Sequence, residues 1–257
     1  MGTLTELVDG VRRRLERHPP DDGGLMALAL KRPPARGFER ALREADPPVV
    51  IAEFKRASPS VGEIADVDLA ERVRAYEAGG ATAISVLTEP TRFGGALADL
   101  EAARIACGIP VLRKDFLVRP AQVIESRARG ADAVLLIAAA LSEPELKALL
   151  STAADLGMDA LVETHSREDL AKALATDAPV VGVNARDLET LDVDVDGALG
   201  LLPEIPGDRV AVLESGVASR EQVERALAAG ARAVLVGETL MRAADPGAMV
   251  RELRGSA

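Results

Sequence analysis

Cysteine, histidine and aromatic residues are scarce in this chain, and each shortage excludes something. A single cysteine, Cys107, in 257 residues rules out an intramolecular disulfide and any zinc site built from several thiolates. Two histidines, His18 and His165, rule out a histidine-rich metal centre. Aromatics make up 2% of the chain with no Trp, so Val, Leu, Ile and Ala must fill the core. Positive charge is in deficit, 31 Lys and Arg against 41 Asp and Glu, for a net charge of −10. Such a field argues against nucleic acid or an anionic membrane as partner, and an anionic ligand must be drawn in by local positive groups. No apolar run approaches a membrane span, "MGTLTELVDGVRRRLERH" has no apolar signal region, and Glu6 stands where a myristoylation signal wants Ser or Thr. A cytoplasmic location is the expectation.

What is present is a rhythm. From about residue 48, eight short Val/Leu/Ile runs recur: "VVIAEFK" (49–55), "AISVLTE" (83–89), "PVLRKDF" (110–116), "AVLLIAA" (133–139), "ALVETH" (160–165), "VVGVNARD" (180–187), "VAVLES" (210–215) and "AVLVGE" (233–238). Helical periodicity separates them, as in "DLAERVRAYEAGGA" and "SREQVERALAAGA". Gly79, Gly130, Gly157 and Gly230 close several of these helices. Eight strands alternating with helices predict an α/β chain folded as one (β/α)8 TIM barrel over residues 1–257. An open doubly wound sheet is the alternative, but neither a dinucleotide-binding glycine fingerprint nor a P-loop occurs. Residues 1–47 stand outside the repeat as an N-terminal helical extension: "LTELVDGVRRRLERH" reads as an amphipathic helix, "PPDDGG" as a breaker and "GFERALREA" as a short helix.

Catalytic groups of such barrels sit at the C-terminal ends of the strands. Those ends carry Glu53 and Lys55 (strand one), Glu89 (two), Lys114 and Asp115 (three), Glu163 (five), Asn184 and Arg186 (six), and Glu214 and Ser215 (seven). In a strand Glu53 and Lys55 share a face. One polar strand end is ordinary, because chains become polar where strands stop. Five strands offering Lys, Glu or Asn at an inward parity form a constellation. Gly216 and Gly237 follow strands seven and eight at turns into helices, where backbone N–H groups hold phosphate. His165 reads as a solvated loop residue, Cys107 as a small buried filler, and "RRRLER" and Lys31/Arg32 as solvated helix faces.

The motifs "IAEFKRASPS", "SVLTEP", "PVLRKDF", "LGMDALVETH", "VGVNARDLETLDVD" and "ESGVASREQVERALAAGARAVLVGETLMRAADP" resemble the indole-3-glycerol phosphate synthase family of tryptophan biosynthesis, colinearly from about Gly37 to the C-terminus. The resemblance implies conversion of 1-(2-carboxyphenylamino)-1-deoxyribulose 5-phosphate to indole-3-glycerol phosphate, with loss of carbon dioxide and water and without metal or organic cofactor. By motif, Lys114 is then the general acid of ring closure and Glu163 the acid/base of dehydration. Lys55 binds substrate, Glu53 orients the lysines, and Asn184 and Arg186 hold hydroxyl and carboxylate groups. Glu214 and Ser215 lie beside the substrate, Ser58 and Phe116 wall the pocket, and Gly216, Gly237 and the backbone of Glu238 cradle the phosphate. The implied partner is a phosphorylated small molecule, with a monomer expected and weak association with other tryptophan-pathway enzymes.

The chain departs from the family pattern at Val61, where Lys is common, at Thr91 and Arg92, and at Ala121. Two rivals stay open. A sister phosphate-binding isomerase needs a Cys at a strand end, and Cys107 lies in a helix. A retired, binding-only barrel has no need of two lysines among carboxylates.

Overall fold

The computed structural model describes residues 4–58, 62–63 and 67–256, with the side chains of Ser58 and Glu63 outside that description. Eight parallel strands close a barrel: β1 (Val49–Phe54), β2 (Ala83–Leu87), β3 (Val111–Lys114), β4 (Ala133–Ile137), β5 (Asp159–Thr164), β6 (Val180–Asn184), β7 (Val210–Glu214) and β8 (Ala233–Val236). Each strand pairs with the next, and β8 returns to β1 with Val49 opposite Ala233. The strands read as unbroken apolar runs because the barrel interior covers one face and the helices the other. β1, β2, β4, β6, β7 and β8 are buried along their whole length.

The helices start where short polar side chains can cap them. Ser142, Ser166 and Ser219 accept from the backbone N–H three residues on, and Asp68 and Asp245 do the same for their helices. Gly79 stands just past the last residue of the helix Leu69–Ala78, as expected. It keeps a right-handed conformation, and Gly80 takes the positive φ of +94°. Gly79 is glycine for another reason: a Cβ there falls 2.5 Å from the carbonyl oxygen of Gly247.

The N-terminal extension contains three helices, α1 (Leu4–Arg17), α2 (Asp22–Lys31) and α3 (Phe38–Glu44). The expected breaker "PPDDGG" does separate α1 from α2 at residues 19–21, but Asp22, Gly23 and Gly24 already belong to α2. Asp21 caps it by accepting from Gly24 N–H, so Gly23 and Gly24 sit in the first helical turn, and Pro19–Pro20 lie between the two helices. Arg32 is not a solvated face, since its Nε donates to Ala128 O at 2.7 Å. α3 buries Phe38 and Leu42 completely. Asp132, just before β4, accepts from Arg36 N–H at 2.9 Å, and Asp159, at the start of β5, accepts from Glu39 N–H at 2.9 Å. Arg36 and α3 are thus tied to the N-terminal end of the barrel, while α1 reaches the other end, where Arg12 pairs at 2.9 Å with Glu145 in the helix after β4. Among the described residues no helix is long and apolar enough to cross a membrane.

Candidate active site

A cavity of about 450 Å³ opens at the C-terminal end of the barrel. Glu53, Lys55, Lys114, Phe116, Glu163 and Asn184 line it, as do Arg186, Glu214, Ser215, Gly216, Gly237 and Glu238. Of the thirteen residues singled out by sequence, only Ser58 is unplaced, its side chain lying outside the described residues, as does the whole of Val61.

Two ion clusters form the charged floor. Lys114, the last residue of β3, donates to Glu163 Oε2 at 2.6 Å and to Glu214 Oε2 at 3.0 Å, bridging β5 and β7. Lys55 donates to Glu53 Oε1 at 2.8 Å. Glu53, Glu163 and Glu214 are all but fully buried. Burial opposes the charge on Lys114, but Glu163, Glu214 and Glu53 outweigh it and hold the ammonium well above its ordinary range. Burial likewise opposes ionisation of Glu163, yet Lys114 and His165 overcome it and hold that carboxyl below the usual range. Glu214 goes the other way: burial, with repulsion from Glu163, pushes it up to about 8 despite Lys114. Two neighbouring carboxyls are therefore driven apart in acidity around one lysine, the pattern of an acid–base pair.

Two glycines make room for these charges. A Cβ at Gly182, inside β6, would collide with Glu214 Oε1. One at Gly237, after β8, would collide with Glu53 Oε1 and come within 2.8 Å of Lys55 Nζ. Ser215 and Gly216 both take positive φ, 65° and 74°, which turns the chain sharply after β7. Gly237 then begins the short helix Glu238–Arg242. The N–H groups of Gly216, Gly237 and Glu238 point to no acceptor among the described residues.

Other strand-end residues at the cavity are also held by bonds within the protein. Glu89 accepts from Thr91 N–H at 2.9 Å and Arg92 N–H at 2.6 Å, folding the loop after β2 on itself. Asp115 accepts from Thr88 Oγ1 at 2.6 Å, Phe116 N–H at 2.8 Å and Arg113 at 2.9 Å. Asn184 accepts from Arg186 N–H at 3.0 Å, and the Arg186 guanidinium donates to Leu191 O at 2.9 Å. Glu214, expected beside the substrate, is a direct partner of Lys114.

His165 corrects an expectation. It is not a solvated loop residue: its side chain is 14% exposed and Nε2 lies 3.2 Å from Glu163 Oε1. Its shared parity with Glu163 was the available signal. Cys107 is the buried filler expected, at the end of the helix Leu97–Ala106 and away from the cavity. Among the described residues no three His, Cys, Asp or Glu side chains are grouped to hold a metal ion.

Comparison with known proteins bears on the fold and the family. Solved structures share the barrel at low identity: a 3-hexulose-6-phosphate synthase superimposes with a TM-score of 0.65 at 18% identity, covering 81% of this chain and 100% of its own. A thiamine phosphate pyrophosphorylase from Pyrococcus furiosus gives 0.59, also at 18% identity, covering 80% of this chain and 93% of its own. Curated sequences are far nearer. The indole-3-glycerol phosphate synthase of Mycolicibacterium vanbaalenii is 52% identical over 97% of this chain and 93% of its own length. That of Micrococcus luteus is 48% identical over 100% and 98%. The family model described as indole-3-glycerol phosphate synthase matches residues 4–253. The chain therefore belongs to the indole-3-glycerol phosphate synthase family, carboxy-lyases of tryptophan biosynthesis.

Proposed function

We propose that the chain converts 1-(2-carboxyphenylamino)-1-deoxyribulose 5-phosphate to indole-3-glycerol phosphate, carbon dioxide and water by lysine–glutamate general acid–base catalysis. The observation that carries this reading is Lys114 Nζ in the cavity floor, 2.6 Å from Glu163 and 3.0 Å from Glu214. In ring closure, the aromatic carbon bearing the carboxylate attacks the C2 ketone, and the ketone oxygen becomes an alkoxide. The Lys114 ammonium gives it a proton. Loss of carbon dioxide from the same ring carbon then restores aromaticity. In dehydration, the hydroxyl leaves with a proton from an acid, and a base takes a proton from the neighbouring methylene to complete the indole ring. Glu163, adjacent to Lys114 and held ionised, fits the base, with the two exchanging the proton between steps.

Lys55, paired with Glu53, binds the substrate and adds positive charge beside the developing alkoxide. Asn184 and Arg186 hold its hydroxyl and carboxylate groups. Phe116, with Leu188 and Leu191, offers apolar surface to the aromatic ring. The phosphate goes to the backbone N–H groups of Gly216, Gly237 and Glu238, whose local field offsets the acidity of the whole protein. The test is direct: incubate the protein with the carboxyphenylamino substrate and follow indole fluorescence. Product formation is expected, and absence of turnover at micromolar enzyme overturns the reading.

A further inference from the structure

The two oxygens of Glu163 are met by different residues. Lys114 Nζ takes Oε2 at 2.6 Å from the cavity side, and His165 Nε2 stands 3.2 Å from Oε1. His165 does not line the cavity, so it reaches the chemistry only through Glu163. Its backbone is held in place: His165 N–H donates to Asp169 Oδ2 at 3.2 Å, and Ser166 caps the helix that begins there. Thr164, between the two, is fixed by a 2.7 Å bond to Gly182 O. The backbone on both sides is thus fixed; the buried ring meets Glu163 at ion-pair distance through Nε2, and its Nδ1 has no hydrogen-bond partner among the described residues.

We infer that His165 is a positioning residue for this reaction: from behind the cavity wall it holds Oε1 of Glu163, fixes the direction of its free lone pairs, and couples its proton affinity to solution pH. The inference rests on the acid–base reading of Glu163 given above.

Charge around the ring supports it. The groups that act on His165 come from several elements: Glu163 on β5, Glu214 on β7, Asp169 on the following helix and Asp187 on the loop after β6. Lys172, on that same helix, is engaged elsewhere, donating to Ala138 O and Leu141 O. Burial disfavours the imidazolium, but the surrounding carboxylates, Glu163 foremost, outweigh it and raise the ring above its ordinary value. His165 therefore keeps its proton at lower pH and gives it up above the range of about 6.5 usual for histidine. Above that point Glu163 loses its second cationic neighbour.

Three substitutions separate positioning from packing. Gln places an amide nitrogen near the imidazole Nε2 position but does not titrate. Asn places one near Nδ1, out of reach of Glu163, and Ala places none. His165→Asn and His165→Ala are expected to lower kcat about 10–100-fold, the worth of one hydrogen bond to a charged group, with KM for the substrate unchanged. His165→Gln is expected to restore most of that rate but to lack the alkaline inflection expected in kcat of the parent. Equal rates in Gln and Asn, an inflection that survives in Gln, or a loss confined to KM each overturn the inference.

A second readout needs no turnover. With two histidines in the chain, the C2–H resonance of His165 is assigned by its absence from His165→Gln. In Glu163→Gln its titration midpoint moves to lower pH, and an unmoved midpoint overturns the inference. A moved midpoint in a protein that makes no indole product supports the His165–Glu163 coupling and overturns the proposed reaction instead.

Discussion

Replacing Lys114 by Met tests the charged floor of the barrel most directly. Met keeps most of the volume and removes only the charge, so cavity effects stay small. Lys114 Nζ lies 2.6 Å from one buried carboxylate and 3.0 Å from another. At an effective dielectric constant of about 20, each contact is about 6 kcal/mol of bare Coulomb attraction, mostly offset by desolvation. Removing one partner of a buried ion cluster costs about 3–5 kcal/mol of stability. The sign with pH follows from the orphaned pair. In the parent Glu214 already holds a proton up to about pH 8. Without the lysine, buried Glu163 loses its main counter-charge and also holds a proton above its unfolded value of about 4.3. A carboxyl raised on folding gives stability in acid that is lost as pH rises through its folded value. The deficit of the variant is thus largest near pH 8.5 and shrinks toward pH 5.5, by about 1.4 kcal/mol per unit while one proton is taken up. Urea unfolding of both proteins at several pH values measures it. The same substitution lowers kcat by about 10²–10⁴-fold, the range for a general acid, followed by indole fluorescence. A pH-independent deficit refutes the electrostatic account, and kcat within tenfold of the parent refutes Lys114 as the principal acid.

Three further outcomes follow from the same geometry. Glu214, pushed up to about 8 by burial, costs the parent stability between its unfolded value of about 4.3 and that point. The melting temperature of Glu214→Gln should therefore fall less between pH 5 and 8.5 than that of the parent, and parallel melting curves would count against a raised Glu214. Gly237→Ala drives a methyl group into Glu53 and Lys55. It should lower kcat/KM about 100-fold or more through misplaced charges, with circular dichroism unchanged, and kinetics like the parent's would show that the pair can shift at no cost. Asp115→Ala leaves the buried Arg113 guanidinium without the partner 2.9 Å away and should destabilise the fold by about 3–5 kcal/mol in urea unfolding, whereas a loss below about 1 kcal/mol, the worth of an exposed pair, would mean Glu125 alone satisfies that charge.

Local pattern alone carried the barrel. Eight apolar runs with helical segments between them have one closed parallel solution at this length, and all eight strands form where the runs lie. The reactive strand ends were legible for a related reason. A charge at the end of an apolar run is dear to bury, so Glu53, Lys114 and Glu163 stand out against Val and Leu. Even α2 obeys a local rule, since Asp21 is a good helix cap and the glycines after it sit in the first turn.

What the chain order hid was partnership. Lys114 and Glu214 are 100 positions apart and Lys114 and Glu163 are 49 apart. No periodicity reports that closure of the barrel brings them within hydrogen-bond reach. Nothing in "VVGVN" says that Gly182 is bare to admit Glu214, or in "VETH" that His165 turns back onto Glu163 instead of facing solvent. Sequence alone determined the architecture, the family and the residue types at the mouth, because each depends on neighbours in the chain. Tertiary structure alone decided which carboxylate each cation serves, and hence which groups hold protons at neutral pH. Those choices are set by burial and by distances across the barrel, quantities that exist only once it has closed.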